Sequence, residues 1–324
     1  LKLSHLGTLR PSVPFLRGPA YNPAMELIPC VRVLTVMSVL AAVSGVKLAV
    51  DRKSVSSAAL AGQPSDLRRR YLDGVFELSY GCKNSVRLGK KWDGGYVMCE
   101  DAKIGGDFGA CQFFSYGVRG DDSLEVAIHE RYGCHVEEFD PTVSDSPGSK
   151  AIRSAIHFHK EGIAGNGPMT VKGLGGVDTL LHHVAKYGRK GEAMMVKVDV
   201  EENEWDSLGA VPEEFFDTVN LFVVELHLNI TRTAEEVASS FASHVKLVET
   251  LRKHFYLYHS HLANCGIANR LDEIPGVGRA PRLVELAFIN KRLVTPGSAP
   301  FEKHSELDQP CNPKLRNLKR EDFE

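Results

Sequence analysis

The segment MMVKVDVEENEW (194–205) starts as an apolar strand and ends in a crowd of acids. Met194, Met195, Val196, Val198 and Val200 are apolar, Asp199, Glu201, Glu202 and Glu204 arrive together, and Trp205 closes the run. Carboxylates at the end of a core strand can take a proton, accept hydrogen bonds from a ligand or hold a hard cation. They can equally be the solvated first turn of a helix, where the backbone dipole favours acids. Strand alternation places Asp199 and Glu201 on one side. Glu202 and Glu204 then belong to the solvated start of a helix near Asn203. His227 ends a second apolar run, NLFVVELHL (220–228), and brings an imidazole that can change charge near neutrality and act as a base. A lone strand histidine is also often structural. Two acids and a histidine on one edge could hold a divalent cation, although the sequence alone assigns no metal.

Two further segments carry residues of the same kind. FSYGVRGDDSLE (114–125) has Gly117 and Gly120 before a helix. Small residues there let a ligand approach the backbone, and the free N–H groups of the helix start can receive it. The full G-x-G-x-x-G is absent because Arg119 stands inside it, and a plain turn with Asp121, Asp122 and Ser123 as caps explains the same residues. HVEEFD (135–140) ends in Asp140, 23 residues past Gly117, near the distance at which an acid meets ribose hydroxyls in nucleotide-binding half-folds. Asp140 also opens an Asp-Pro turn. Gly173-Leu174-Gly175-Gly176 lacks the Lys-Ser/Thr of a P-loop. The H-x-H pairs His157/His159 and His259/His261 lack an identifiable third ligand.

The elements needed to position these residues alternate. Helical spacing marks 66–76, 122–133, 176–188 and 233–255, and extended runs mark 111–117, 135–140, 155–165, 194–200, 220–228, 256–263 and 282–293. Trp92-Asp93-Gly94-Gly95-Tyr96 reads as a turn between two short strands. Alternation of this kind predicts an α/β fold, a mostly parallel sheet with helices on both faces. Ligands in such sheets bind beyond the carboxyl ends of the strands. The expected organisation is a leader and linker over 1–65, one domain over 66–293, and a polar tail over 294–324 that loops over the surface.

With 43% apolar and 25% charged residues and a net charge of −2, the 324-residue chain has the composition of a globular protein. Nothing in that balance points to nucleic acid. The uncharged run VLTVMSVLAAVSGV (33–46) covers about 21 Å as a helix, short of a ~30 Å hydrocarbon core. It suits a signal peptide, or a short membrane anchor with Arg32 and Lys47 snorkelling. The secretory pathway, Golgi membrane or exterior, is the expected location. Of seven cysteines, Cys30 lies in the leader and six remain. No zinc spacing occurs. Cys111 and Cys134, near predicted strands, read as small buried hydrophobes. Asn229-Ile230-Thr231 is a glycosylation sequon if the chain enters the lumen.

The ordered set of VRLGKKWDGGYVMC, FFSYGVRGDDSLEVAI, YGCHVEEFDP, VKVDVEENEW, LFVVELH and LVELAFIN resembles the FkbM-related methyltransferase-like domain of the methyltransferase-like protein 24 type, over about residues 70–292. The resemblance implies the class I S-adenosylmethionine (SAM) methyltransferase fold, seven strands with the last antiparallel. It implies SAM as cofactor, with Gly117 at the close approach, Gly120 in the same loop, Asp140 at the ribose and Asp199 near the methionine end or the acceptor. Its D-x-E-G-x-E-W pattern has Gly where this chain has Glu202, and small residues are common where Arg119 stands. The implied reaction is methyl transfer to a hydroxyl of a small molecule or glycan, with Asp199, Glu201 and His227 as catalytic candidates. Two other readings compete: a luminal glycosyltransferase using a nucleotide sugar and a metal, with DVE (199–201) as its acid-x-acid motif, and a Rossmann-like module that binds without turnover. The sequence leaves the oligomeric state open.

Overall fold

In the computed structural model, which describes residues 64–104, 109–228, 233–264, 273–297 and 305–323, helix α1 (Pro64–Phe76) leads into a β-hairpin. The hairpin strands are β1 (Ser85–Gly89) and β2 (Gly95–Cys99). Then follow β3 (Cys111–Tyr116), α2 (Ser123–Tyr132), β4 (His135–Phe139), α3 (Pro147–Ala151) and β5 (Ile156–His159). Three short strands, β6 (Glu161–Ile163), β7 (Met169–Val171) and β8 (Gly175–Asp178), form a small separate sheet before α4 (Leu180–Tyr187). The chain returns through β9 (Ala193–Val198), α5 (Glu204–Gly209), α6 (Glu213–Phe216) and β10 (Val219–His227). It ends through α7 (Ala234–His254), β11 (Phe255–His261), the β12 (Glu273–Ile274) and β13 (Gly278–Arg279) pair, and β14 (Leu283–Asn290).

The main sheet has seven strands in the order β11-β14-β10-β9-β3-β4-β5. β5, β4, β3, β9 and β10 run parallel, and β14 is antiparallel to both β10 and β11. This is the predicted α/β fold, and the late strands pair as expected. The chain starts at β3, winds outward to β5, then crosses back to β9. The carboxyl ends of β3 and β9 therefore flank the switch point, the place where open α/β sheets bind ligands.

Strand alternation gives the sheet two apolar faces. Phe114, Val196, Phe222 and Val224 pack with Tyr71, Leu72, Phe241 and Val245 of α1 and α7. Phe113, Met195, Leu221 and Val223 face the other way, toward Leu124 and Ile128 of α2 and the hairpin's Tyr96 and Met98. α7 opens with a Thr233–Glu236 capping box and closes on Arg252, Lys253 and His254, matching the helix dipole at both ends.

Four sequence expectations change. The segment 176–188 is not helical throughout: Gly175–Asp178 is strand β8, and α4 begins after Thr179, whose side chain caps His182 N–H. Cys111 and Cys134 are not free hydrophobes but a disulfide, and Cys82–Cys99 is a second one tying the hairpin's two sides. Cys311 is disulfide-bonded too. The tail does not simply loop over the surface. Phe323 is buried against Phe76, Arg320 pairs with Asp73, and Gln309 accepts the Trp92 N–H. The apolar anchor at the chain's end turns a polar segment into a strap across α1 and the hairpin. Finally, Glu202 and Glu204 are buried, not solvated, for a reason given below. The leader, its 33–46 run and the Asn229 sequon lie outside the described residues. Among the described residues no helix is long and apolar enough to cross a membrane.

Candidate active site

At the switch point the two central strands touch through backbone. Asp199 N–H donates to Tyr116 O at 3.1 Å, and Gly117 N–H to Phe139 O at 2.9 Å. A Cβ on Gly117, whose φ is +83°, would lie 1.7 Å from the Asp199 carbonyl oxygen. The absence of a side chain at Gly117 therefore lets β3 and β9 converge. Gly120, at φ +77°, would place a Cβ in ordinary contact with Val143 Cγ1 at 3.9 Å. Asp140 ends β4 and is buried. Its Oδ2 accepts Arg119 N–H at 2.7 Å, and its Oδ1 accepts Thr142 N–H and Oγ1–H at 2.7 and 2.6 Å. Asp140 thus fixes the Gly117–Gly120 loop, and Oδ2 keeps a lone pair for a ribose hydroxyl.

After β9 the chain turns sharply. Glu201 and Glu202 both have positive φ, +55° and +77°. Alternation therefore does not set the direction of Glu201, and the turn folds Glu202 and Glu204 inward. Glu204 takes Val200 N–H at 2.7 Å and His227 Nδ1 at 3.0 Å. Trp205 Nε1–H donates to His227 O at 2.6 Å, so the acid-Trp segment clamps the end of β10. The two departures from the family pattern, Arg119 (φ +51°) and Glu202, thus keep the left-handed backbone that glycine adopts freely.

Asp199, Glu201 and His227 do come together. His227 Nε2 lies 4.0 Å from Asp199 Oδ1, 3.9 Å from Glu201 Oε2 and 3.9 Å from Glu225 Oε1. Three members were missed in the sequence. Lys197, the one charged residue inside β9, is buried and sits 3.3 Å from Asp199 Oδ2 while donating to the carbonyls of Tyr116 and Gly117. Tyr96, from the Trp-Asp-Gly-Gly-Tyr element, places its OH 3.0 Å from Asp199 Oδ2 and 3.2 Å from Glu225 Oε2. Glu225 is buried on β10, one alternation before His227. A lysine interrupting an apolar strand was the available signal for Lys197. Glu225 carried none apart from its period-two spacing to His227.

Burial pushes the Asp199 carboxyl up, but the Lys197 and His227 charges outweigh it and hold the group below its ordinary range. For Lys197, burial opposes the charge, and Asp199 and Glu125 more than restore it. For His227, burial likewise opposes the charge, yet the Glu204 carboxylate, with Glu225 and Asp199, pulls the imidazole well above its ordinary value. Glu225 moves the other way: burial first, then the Asp199 charge, raises it well above the carboxylate range. Asp93 of the hairpin turn is raised by burial and by Asp199. The cluster Cys82, Cys99 and Asp101 offers no metal site, since the two sulfurs are joined.

A methyltransferase-domain family model matches residues 49–272, and the chain belongs to that family. The seven-strand order, with β14 reversed, is that of the class I SAM-dependent methyltransferases. Among solved structures, Thermoplasma acidophilum 1320 is 13% identical, covering 71% of this chain and 99% of its own, with a TM-score of 0.31. The geranyl diphosphate C-methyltransferase of Streptomyces coelicolor A3(2), solved with Mg2+, geranyl diphosphate and S-adenosyl-L-homocysteine, is 12% identical. It covers 71% of this chain and 98% of its own, with a TM-score of 0.29. No curated protein sequence matches the chain. The protein is a SAM-dependent methyltransferase by family, and the glycosyltransferase reading falls with that membership.

Proposed function

We propose that this methyltransferase acts on a hydroxyl of a small molecule or glycan in the secretory pathway, and that it is of the FkbM-related, methyltransferase-like protein 24 type. The observation that carries the reading is the gathering of Asp199, Glu201 and His227 at the switch point beside the Gly117 loop and Asp140. SAM, when bound, supplies an electrophilic methyl group whose bonding pair leaves with sulfur. Asp140 would hold the ribose, and the Gly117–Gly120 loop would lie along the cofactor. Asp199, braced by Lys197 and Tyr96, orients the acceptor oxygen, whose lone pair forms the new bond to carbon. The hydroxyl proton goes to Glu201, the one carboxylate of the trio with a well-exposed side chain, at 41%. Alignment of oxygen, carbon and sulfur supplies much of the acceleration.

The location is supported by the disulfides, which persist in oxidising compartments. The subtype is supported by the ordered motifs and by the left-handed backbone at Glu202, where the family pattern has glycine. The test is calorimetric titration of SAM into the full chain and into Asp140→Ala, with thermal unfolding to confirm the fold. The variant is expected to bind about 10–100-fold more weakly, as for a lost charged hydrogen bond of about 1.5–3 kcal/mol. Unchanged affinity would remove Asp140 from the site. Transfer of labelled methyl to a panel of hydroxylated glycans and small alcohols then tests the acceptor class.

A further inference from the structure

Asp199, Glu225 and His227 each bring one ligand atom to a common place. Each has one polar atom held from behind and another facing a shared point. Asp199 Oδ2 is held by Tyr96 OH and Lys197, leaving Oδ1 directed toward His227. Glu225 Oε2 is held by the same Tyr96 OH, leaving Oε1 on the same side. His227 Nδ1 is held by the fully buried Glu204, and its Nε2 makes no hydrogen bond among the described residues. The His227 side chain as a whole is 4% exposed. Its neighbours are three carboxylate oxygens at 3.9–4.0 Å, too far to hydrogen-bond.

That spacing suits a bridging ion. Two ligands each about 2.2 Å from one cation stand about 3.1 Å apart at right angles and about 4.4 Å apart when opposed. The oxygens of Asp199 and Glu225 and the nitrogen of His227 all lie within 4.8 Å of one another. The Glu204–His227 pair also has the form of a metal-binding histidine, whose second nitrogen is fixed by a carboxylate. Charge points the same way. Asp93, Asp199, Glu201, Glu204, Glu225 and Glu285 gather here with Lys90, Lys197, Arg119, His227 and His261, so the acids outnumber the basic groups by one.

We infer that Asp199 Oδ1, Glu225 Oε1 and His227 Nε2 bind a hard divalent cation of the Mg2+/Mn2+ class. Oxygen donors with one imidazole and no thiolate select this class over soft metals. Binding of the ion does not depend on the acceptor. Its use does, and rests on the hydroxyl-methylation reading: the ion would hold the acceptor oxygen and acidify its proton for Glu201.

The experiment is titration of Mn2+ into the full chain by calorimetry, with pulsed electron paramagnetic resonance on the complex. One Mn2+ per chain is expected, with a nitrogen modulation from a coordinated imidazole. Glu225→Gln, nearly isosteric, should weaken binding at least tenfold. Glu137→Gln, in the separate His157/His159 pairing on β4, should bind as the parent does. A folded parent chain that binds no Mn2+, a bound ion without the nitrogen signal, or undiminished binding by Glu225→Gln would overturn the site. Measuring SAM binding in the same samples separates the two readings: SAM without Mn2+ leaves the methyltransferase reading and removes the ion.

Discussion

Two groups of buried acids lie on the same face of this sheet and solve the same problem differently. At the ends of β9 and β10, Asp199, Glu204 and Glu225 are met by Lys197 and His227. Beside the ends of β3 and β4, Glu125 of α2 and Glu138 of β4 are met by hydroxyls: Ser115 donates to Glu125, and Ser146 to Glu138. In the first group cations hold Asp199 ionised. In the second, burial raises both acids, and Glu138, pushed further by the Glu125 charge, reaches about 8. A hydroxyl can share a proton but cannot supply a positive charge, so Glu138 keeps its proton near neutrality. The sheet thus separates a charged site suited to ligand chemistry from a neutral one suited to packing, with Lys197 reaching toward both.

Four substitutions test that contrast. Asp199→Asn should leave the fold intact and lower methyl transfer about 1,000-fold, a barrier increase of about 4 kcal/mol, read by labelled-methyl transfer from SAM. Parent-like turnover would remove Asp199 from the chemistry. Lys197→Met should cost about 3 kcal/mol in urea unfolding, because it strands Asp199 without its buried counter-charge. Glu138→Gln reverses the sign. The folded pKa of about 8 lies above the ordinary 4.5, so the folded chain keeps a proton that the unfolded chain has lost. Parent stability contributed by this group is whole below pH 4.5 and disappears as pH rises through 8. The variant should therefore match the parent near pH 4.5 and exceed it by about 4 kcal/mol at pH 8.5. An equal change in stability at both pH values would show that Glu138 titrates alike in the folded and unfolded chains. The smallest effect belongs to Arg119→Gly. Relief of the left-handed backbone, partly offset by a freer unfolded chain, should add about 0.5 kcal/mol to the unfolding free energy.

Much of the architecture was legible because it rests on local signals. The apolar runs that became β3, β9, β10 and β14 are strongly periodic, and the hairpin announced itself through Asp93-Gly94-Gly95. Thr179 was a cap inside a segment that reads as helical, so the strand before it was lost. The site was half legible. Asp199, Glu201 and His227 end their runs, and period two or proximity in sequence brings them forward. Tyr96 comes from a hairpin more than 100 residues away, and only the packing of that hairpin on the sheet delivers its hydroxyl. Glu204 reads as a helix-start acid because its burial depends on two left-handed residues that no periodicity reveals. The Cys111–Cys134 link depends on β3 and the start of β4 being neighbours, a tertiary fact.

Gly117 has a consequence for how a protein of this design can diversify. With the Asp199 carbonyl occupying the space of a side chain, position 117 admits no replacement without parting the two central strands. Variation is therefore displaced to the rim. Trp92, half exposed on its hairpin turn and steadied by Gln309 of the tail, can be exchanged while the strand junction stays as it is. The molecule couples a frozen centre to a revisable border.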